Sequence, residues 1–279
     1  MSLLRKFQDL NNFIHNENYY KLIFDKTKIG YVHREIAKYL ILNVKGMYLL
    51  GKKIYLDYTS ETQLKNTILK ITKTLSEKKK FFTPRGELFS CRKTIDGKEL
   101  FKLDRKLVEF LGIRGYGVHL IAYTKQGNAY KLWVPKRNKN KLVAPAKFDN
   151  SVAGGVRAGE NIIDALHREG YEEAGLRKKQ LNHVKLVGTL NYNWKNSTYT
   201  LRRDTLYLFD LEVDKTFKPH CFDGEVEKFE LLDWKRVLKL MQGTNSIKNN
   251  CNLVFFNFMV RHGLVNSKLE KDYEKILRL

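Results

Sequence analysis

Cysteine and proline are scarce in this chain: 279 residues contain three of the first and four of the second. Cys91, Cys221 and Cys251 are odd in number, lie far apart and form no CxxC pair. That excludes a zinc knuckle and a disulfide framework and points to a reducing compartment. No internal repeat and no long Pro-rich or Gly/Ser-rich linker is visible. Long apolar runs are also missing. The greasiest, Leu253 to Val260, is interrupted by Asn257 and falls well short of the roughly 20 residues that span a bilayer. The opening MSLLRKFQDLNNF lacks the apolar stretch of a secretory signal. These absences predict a soluble, cytoplasmic protein with no membrane partner.

Hydrophobic residues make up 43% of the chain and aromatics 12%, enough to bury a core of useful size, in one large domain or two ordinary ones. The formal charge of +22 suits polyanionic partners: nucleic acid, anionic membrane or phosphorylated metabolites. Lysines are spread along the whole chain, with one short block at Lys78-Lys79-Lys80. This spread favours a solvated surface over a dedicated nucleic-acid stripe.

Helical spacing marks Ile36, Tyr39 and Leu40, then Leu64, Ile68, Ile71 and Leu75. Short apolar runs between them, Met47 to Leu50 and Lys53 to Leu56, read as strands or helix ends. From about Tyr116 the texture changes. Gly117 to Thr124 and Ala129 to Val134 read as two strands joined by a turn, and Val184 to Tyr192, Thr205 to Val213 and Val226 to Leu232 as further strands. Helices are expected at Ile162 to Ala174, Trp234 to Met241 and Asn252 to Arg261, with a short amphipathic stretch through Leu269, Tyr273, Ile276 and Leu277. The expected organisation is a smaller mixed module over 1–110, an α+β domain over 111–265 and a helical tail over 266–279.

The chemistry is concentrated in GGVRAGENIIDALHREGYEEAGL, from Gly154 to Leu176. Asn161 suits a helix N-cap, with Asp164 as its reciprocal partner, and Gly175 suits the C-terminal stop. The helix between carries Glu169, Glu172 and Glu173 on one face. Three carboxylates so placed repel one another, and a cation relieves the repulsion. An all-oxygen set suits a hard ion, Mg²⁺ or Mn²⁺. Gly154 and Gly155 permit a tight backbone path that lets a main-chain carbonyl approach the same ion; taken alone, the pair reads more readily as a plain turn. Taken alone, EGYEE favours a solvated acidic face, because charge runs usually lie on the surface.

The full spacing decides between these readings. Gly154, Glu160, Arg168-Glu169, Glu172-Glu173, Gly175 and Leu176 fit G-x5-E-x7-R-E-U-x-E-E-x-G-U, where U is bulky and apolar. The segment therefore resembles the Nudix box. One slot departs: the first U position holds Gly170, and a mid-helix glycine costs about 1 kcal/mol relative to alanine. Either an aromatic neighbour, Tyr171, fills the gap or the helix sits closer to the sheet. Beyond the box, Tyr116 to Leu120, Leu132 to Arg137, Asp149 to Gly155, Phe209 to Leu211, Phe217 to Pro219, Asp223 to Phe229 and Arg261 to Gly263 look like one subgroup, the Nudix part of fungal thiamine pyrophosphokinases and related plant Nudix proteins. Ile29 to Val32 and Arg85 to Phe89 continue the match upstream, with Pro84 where the subgroup tends to place tryptophan.

The resemblance implies a Nudix-type α/β/α sandwich with a mixed sheet, preceded by the smaller module. It implies a Nudix pyrophosphohydrolase in which Glu169, Glu172 and Glu173, with the carbonyl of Gly154, hold Mg²⁺ or Mn²⁺. Arg168 would orient a neighbouring glutamate, Glu160 would support the helix or an outer water, and a further carboxylate, Glu225 rather than Glu227, would complete the centre. If both lie on a strand, Glu225 and Glu227 share one face. Arg137, Lys139 and Lys141 in the loop ahead of the box, and Arg202 or Arg203, would bind the substrate phosphate or be ordinary basic surface. Trp133, Tyr192 and Trp194 would stack on a substrate ring or, more in keeping with buried aromatics, build the core. His119 reads as a packed strand residue, and no cysteine shows nucleophilic activation. The implied substrate is a small diphosphate, thiamine diphosphate or its oxidised derivatives, cut to the monophosphate. A nucleotide or capped-RNA pyrophosphohydrolase and a non-catalytic Nudix-fold binding module are the alternatives.

Overall fold

A computed structural model describes residues 2–77 and 83–279; the Lys78-Lys79-Lys80 block lies outside them. The chain opens with α1 (Leu3–Leu10), then β1 (Tyr19–Phe24), β2 (Thr27–His33), α2 (Arg34–Asn43), β3 (Met47–Leu50), β4 (Lys53–Leu56), α3 (Glu61–Glu77), β5 (Leu88–Cys91), β6 (Phe101–Asp104) and α4 (Arg105–Phe110). The larger part follows: β7 (Arg114–Gln126), β8 (Ala129–Arg137), β9 (Val152–Gly155), α5 (Ile162–Ala174), α6 (Lys178–Leu181), β10 (Leu186–Trp194), β11 (Arg202–Glu212), β12 (Val226–Asp233), α7 (Trp234–Gly243), α8 (Asn249–Arg261) and α9 (Tyr273–Leu277).

Side-chain alternation along β7 explains the layers, because successive residues face opposite sides of a sheet. Val118, Leu120 and Ala122 face one core with Ala165, Leu166 and Ala174 of α5. Ile121 and Tyr123 face the other, with Val237 of α7 and Val254, Phe255 and Phe258 of α8. The six-stranded sheet runs β10-β11-β7-β8-β12, with β9 also paired to β7. It is mixed: β11 lies parallel to β7, and the other pairings are antiparallel. The α/β/α sandwich with a mixed sheet is therefore present, as the α+β reading required.

A four-stranded sheet, β2-β1-β4-β3, and the β5–β6 hairpin form the N-terminal module. Its own core joins Leu22, Ile36, Ile54, Ile71 and Leu103. Met47–Leu50 and Lys53–Leu56 are strands rather than helix ends. One residue group, in α1, departs from a simple division at residue 110. Leu3, Phe7 and Leu10 of α1 lie in the sandwich core, and Ile276 of α9 lies in the same core. Both termini thus close over α8.

The module meets the sandwich where the site lies. The Ala158 N–H donates to the Leu88 carbonyl at 2.8 Å, binding the β5 hairpin to the loop that leads into α5. Glu87 accepts from Arg105 at 2.8 Å and from Arg157 at 3.0 Å, so one carboxylate bridges both parts.

Candidate active site

Local chemistry fixes α5 at both ends. Asn161 accepts from the Ile163 and Asp164 N–H groups, Asp164 reaches back to the Asn161 N–H, and Gly175 ends the helix in the left-handed region at φ 66°. The Gly170 slot is filled from elsewhere in the chain. A Cβ at Gly170 would stand 2.8 Å from Leu181 Cδ1, so the apolar contact comes from α6. Tyr171 does not fill the gap; it is 51% exposed and stacks on Phe222 at 4.9 Å.

Arg168 organises the acidic face. Its guanidinium donates to both oxygens of Glu160, at 2.6 and 3.0 Å, to Glu169 at 2.6 Å, to Glu172 at 3.3 Å and to the Gly155 carbonyl at 2.9 Å. Burial raises the proton affinity of Glu160, but its hydrogen bonds to Arg168 and to the Arg157 N–H outweigh that and keep it ionised. Glu173 accepts from the Ala153 N–H at 2.7 Å. Glu169 and Glu173 are 8% and 5% exposed. Burial pushes the Glu169 carboxyl up against the pull of Arg168. Burial, reinforced by Glu169 and Asp149, pushes Glu173 well above the usual carboxylate range. Two desolvated carboxylates one turn apart form a site that a hard cation would neutralise, and their oxygen chemistry fits Mg²⁺ or Mn²⁺. As the side chains stand, with Arg168 drawing Glu169 and Glu172 to itself, no three acidic, imidazole or thiol groups among the described residues converge at ligand spacing.

These groups open onto a cleft of about 910 Å³ lined by Ala153, Gly154, Glu169, Glu172, Glu173 and Glu225 on one side. Arg137, Lys141, Arg202 and Lys248 line it as well, and Arg85, Arg105 and Lys106 reach it from the N-terminal module. Lys139 is exposed outside this lining. Glu225 and Glu227 do not share a face. Glu225 precedes β12, and the ladder to β8 is irregular between Val226 and Lys228. Glu225 consequently pairs with Lys141 in the cleft, whereas Glu227 pairs with Lys136 at 3.5 Å beside a separate surface hollow.

Arg202 donates to Asp204 at 2.9 Å and stands 3.7 Å from Glu109. Arg203 donates to the Gly112 carbonyl at 3.1 Å and covers the Tyr31 ring, a structural role. Tyr192 is a core residue whose hydroxyl binds Asp204. Trp194 packs against the same core, and Trp133 faces the hollow beside Glu227. None of the three lines the cleft. His119 is buried on Asn150 at 2.8 Å, and burial lowers its imidazole to about 4. Cys251 donates to Asp149 at 2.7 Å, and burial keeps the thiol protonated.

The residues that sequence reasoning missed are Lys248, Arg85, Arg105, Arg157 and the bridging Glu87. Arg85 and Glu87 lay inside the RGELF match and Arg157 at a free position of the box, but no spacing rule connects Lys248 or Arg105 with it.

An acidic helix, a glycine-bearing strand beneath it and a cationic rim define a Nudix-type site on an α/β/α sandwich. Comparison with known proteins agrees: residues 114–249 match the NUDIX domain family. Residues 114–249 of the chain thus form a NUDIX domain. It is similar to Nudix hydrolase 24, chloroplastic, of Arabidopsis thaliana, with 29% identity over 247 residues, 87% of this chain and 67% of the relative. It is also similar to Nudix hydrolase 20, chloroplastic, of the same plant, with 34% identity over 181 residues, 65% of this chain and 48% of the relative. The chain thus spans about half the length of that second relative. A crystal structure of a Deinococcus radiodurans protein overlays on 61% of this chain and 98% of its own, at 19% identity and a TM-score of 0.46. The names of the two plant relatives agree with the enzyme class that the box implied. Among the described residues no helix is long and apolar enough to cross a membrane.

Proposed function

We propose that the chain hydrolyses a diphosphate linkage in a small molecule, using a divalent cation, Mg²⁺ or Mn²⁺, held by Glu169, Glu172, Glu173 and the carbonyl side of Gly154. The observation that carries this reading is the buried pair Glu169 and Glu173 on the wall of a cleft otherwise rich in cations. When bound, such an ion withdraws charge from the diphosphate and favours attack by water. The chain's own groups do the rest. Arg168 holds Glu160, Glu169 and Glu172 in one array, and the Ala153 N–H fixes Glu173. Arg137, Lys141 and Arg202 line the cleft where phosphate oxygens would lie. Glu225, tethered by Lys141 on the cleft wall, is the carboxylate we assign to complete the centre.

The substrate we infer is thiamine diphosphate or one of its oxidised derivatives, giving the monophosphate. Support comes from the subgroup resemblance that runs through residues 100–265. We place the activity in a reducing compartment, the cytoplasm, in keeping with three unpaired cysteines; the two plant relatives are named as chloroplastic. A phosphate-release screen with Mg²⁺ across thiamine diphosphates, nucleoside diphosphate derivatives and capped RNA tests the proposal. Metal-dependent turnover highest on the thiamine diphosphates is expected. Turnover confined to nucleotides or capped RNA would replace the substrate, and no turnover with Mg²⁺ or Mn²⁺ would leave a binding module.

A further inference from the structure

Lys248 precedes α8 and stands at the seam between the main cleft and a smaller recess of about 70 Å³ that runs in over Gly115, Gly117 and Gly155 toward Phe89. It lines both. Its ammonium donates to Asp149 Oδ2 at 2.9 Å, and Arg137 Nη1 donates to the same oxygen at 2.8 Å. Asp149 is 3% exposed and spends its other oxygen on Cys251 Sγ and the Asn150 N–H. One buried carboxylate therefore faces two cations, and one positive charge is left over.

Both cations are fixed at the backbone. The Lys248 N–H donates to the Phe148 carbonyl at 2.9 Å and its carbonyl accepts from Cys251 at 3.0 Å; the Arg137 N–H donates to Lys147 at 2.9 Å, and its Nε to Val143 at 3.2 Å. Among the described residues, the Lys248 ammonium makes no hydrogen bond other than that to Asp149, and Arg137 Nη2 makes none. An ammonium has three donors and a guanidinium five, so both keep donors free on the cleft side. Neither is bonded to Glu173. A surplus cation with free donors in a desolvated wall is costly unless an anion completes it.

We propose that Lys248 and Arg137, held side by side on Asp149, form the chain's own anion subsite, which takes the phosphate of the substrate that faces away from Glu169 and Glu173. The inference rests on the reading of the cleft as a diphosphate site and assigns it two groups the box does not contain: Lys248 as a phosphate-binding residue and Asp149 as the positioning residue that sets both cations. The ammonium acts as a point charge and the guanidinium as a fork, so the pair grips a phosphate without needing one fixed orientation.

Methylenediphosphonate, a diphosphate that cannot be hydrolysed, is the probe, titrated calorimetrically into the full chain with Mg²⁺ present. Mn²⁺ binding, followed by electron paramagnetic resonance, is measured alongside. Lys248→Met is expected to weaken the diphosphonate at least about tenfold while Mn²⁺ affinity stays within error and the thermal midpoint is held or raised. Lys248→Arg, which keeps charge and bulk and guards against a folding failure in the first variant, is expected to bind within about threefold of wild type. Asp149→Asn, with both cations retained but released, is expected to weaken the probe as well. Equal binding by wild type and Lys248→Met overturns the subsite, as does a wild-type chain that takes up Mn²⁺ but no diphosphonate. A chain that binds diphosphonate through Lys248 but holds no Mn²⁺ overturns the metal reading instead and leaves the subsite standing.

Discussion

Gly154 and Glu169 share one small volume: a Cβ on Gly154 would lie 1.8 Å from Glu169 Cδ and 2.0 Å from its Oε1. The glycine in β9 is thus the space into which the glutamate folds, and it lets that carboxylate lie against the strand while Arg168 holds it. Glycine at the start of the box serves a close approach of side chain to backbone, in addition to any role of its carbonyl.

Gly154→Ala is expected to drive Glu169 out of this position. Turnover should fall by at least about tenfold, with a loss of stability no greater than the roughly 1–3 kcal/mol of an overpacked site. Steady-state kinetics with a urea titration checks it. An alanine variant with wild-type turnover would show that the position of Glu169 against β9 is irrelevant to the chemistry.

The Gly170 slot gives a second test, on stability. Leu181 occupies the room that a bulky residue would take on α5. Gly170→Leu should therefore destabilise by about 1–3 kcal/mol despite the better helix propensity of leucine. Leu181→Ala alone should cost about 2–5 kcal/mol. The double variant should be more stable than the sum of the two, because each change makes room for the other. Additive losses in urea unfolding would contradict the exchange of apolar groups between α5 and α6.

His119 sets a pH dependence. Burial lowers its imidazole from the ordinary 6.5 to about 4. Between those values the unfolded chain binds the proton and the native chain does not. The contribution of the neutral His119 is complete above pH 6.5 and is lost as pH falls through the window, by up to about 3 kcal/mol. Glu169 and Glu173, held above the usual carboxylate range, act in the opposite sense, since their protonation at low pH relieves the native state. Comparing wild type with His119→Gln isolates the histidine. The stability difference between pH 7 and pH 4.5 should be smaller in the variant, and an unchanged difference would contradict a neutral buried imidazole.

Much of this site could be read from the chain because its parts are close in sequence. The Glu169, Glu172 and Glu173 face, the Asn161–Asp164 cap and the Gly175 stop all follow from helical geometry within a score or so of residues. Gly154-Gly155, taken alone, reads as a turn, yet residues 152–155 pair with β7 as a strand. The strand forms because its partner is a long central one, a fact no local pattern contains. Glu225 lies just ahead of β12 and Glu227 at an irregularity in its ladder, so the two face different ways without any change of residue type. Lys248 reaches Asp149 across 99 positions, and Arg105 and Arg157 meet on Glu87 from different parts of the fold. Such contacts depend on how the layers stack, so a lysine there looks like any other in a chain so rich in them.

Under the proposed function, the buried glutamates hold the cation that drives hydrolysis. Glu173→Gln keeps the size of the side chain and its ability to accept from the Ala153 N–H, but removes the charge. Mg²⁺-dependent phosphate release from the best substrate of the screen should fall by at least about 100-fold while the thermal midpoint is held or raised. Turnover within a few-fold of wild type in that variant would contradict a metal-holding role for Glu173.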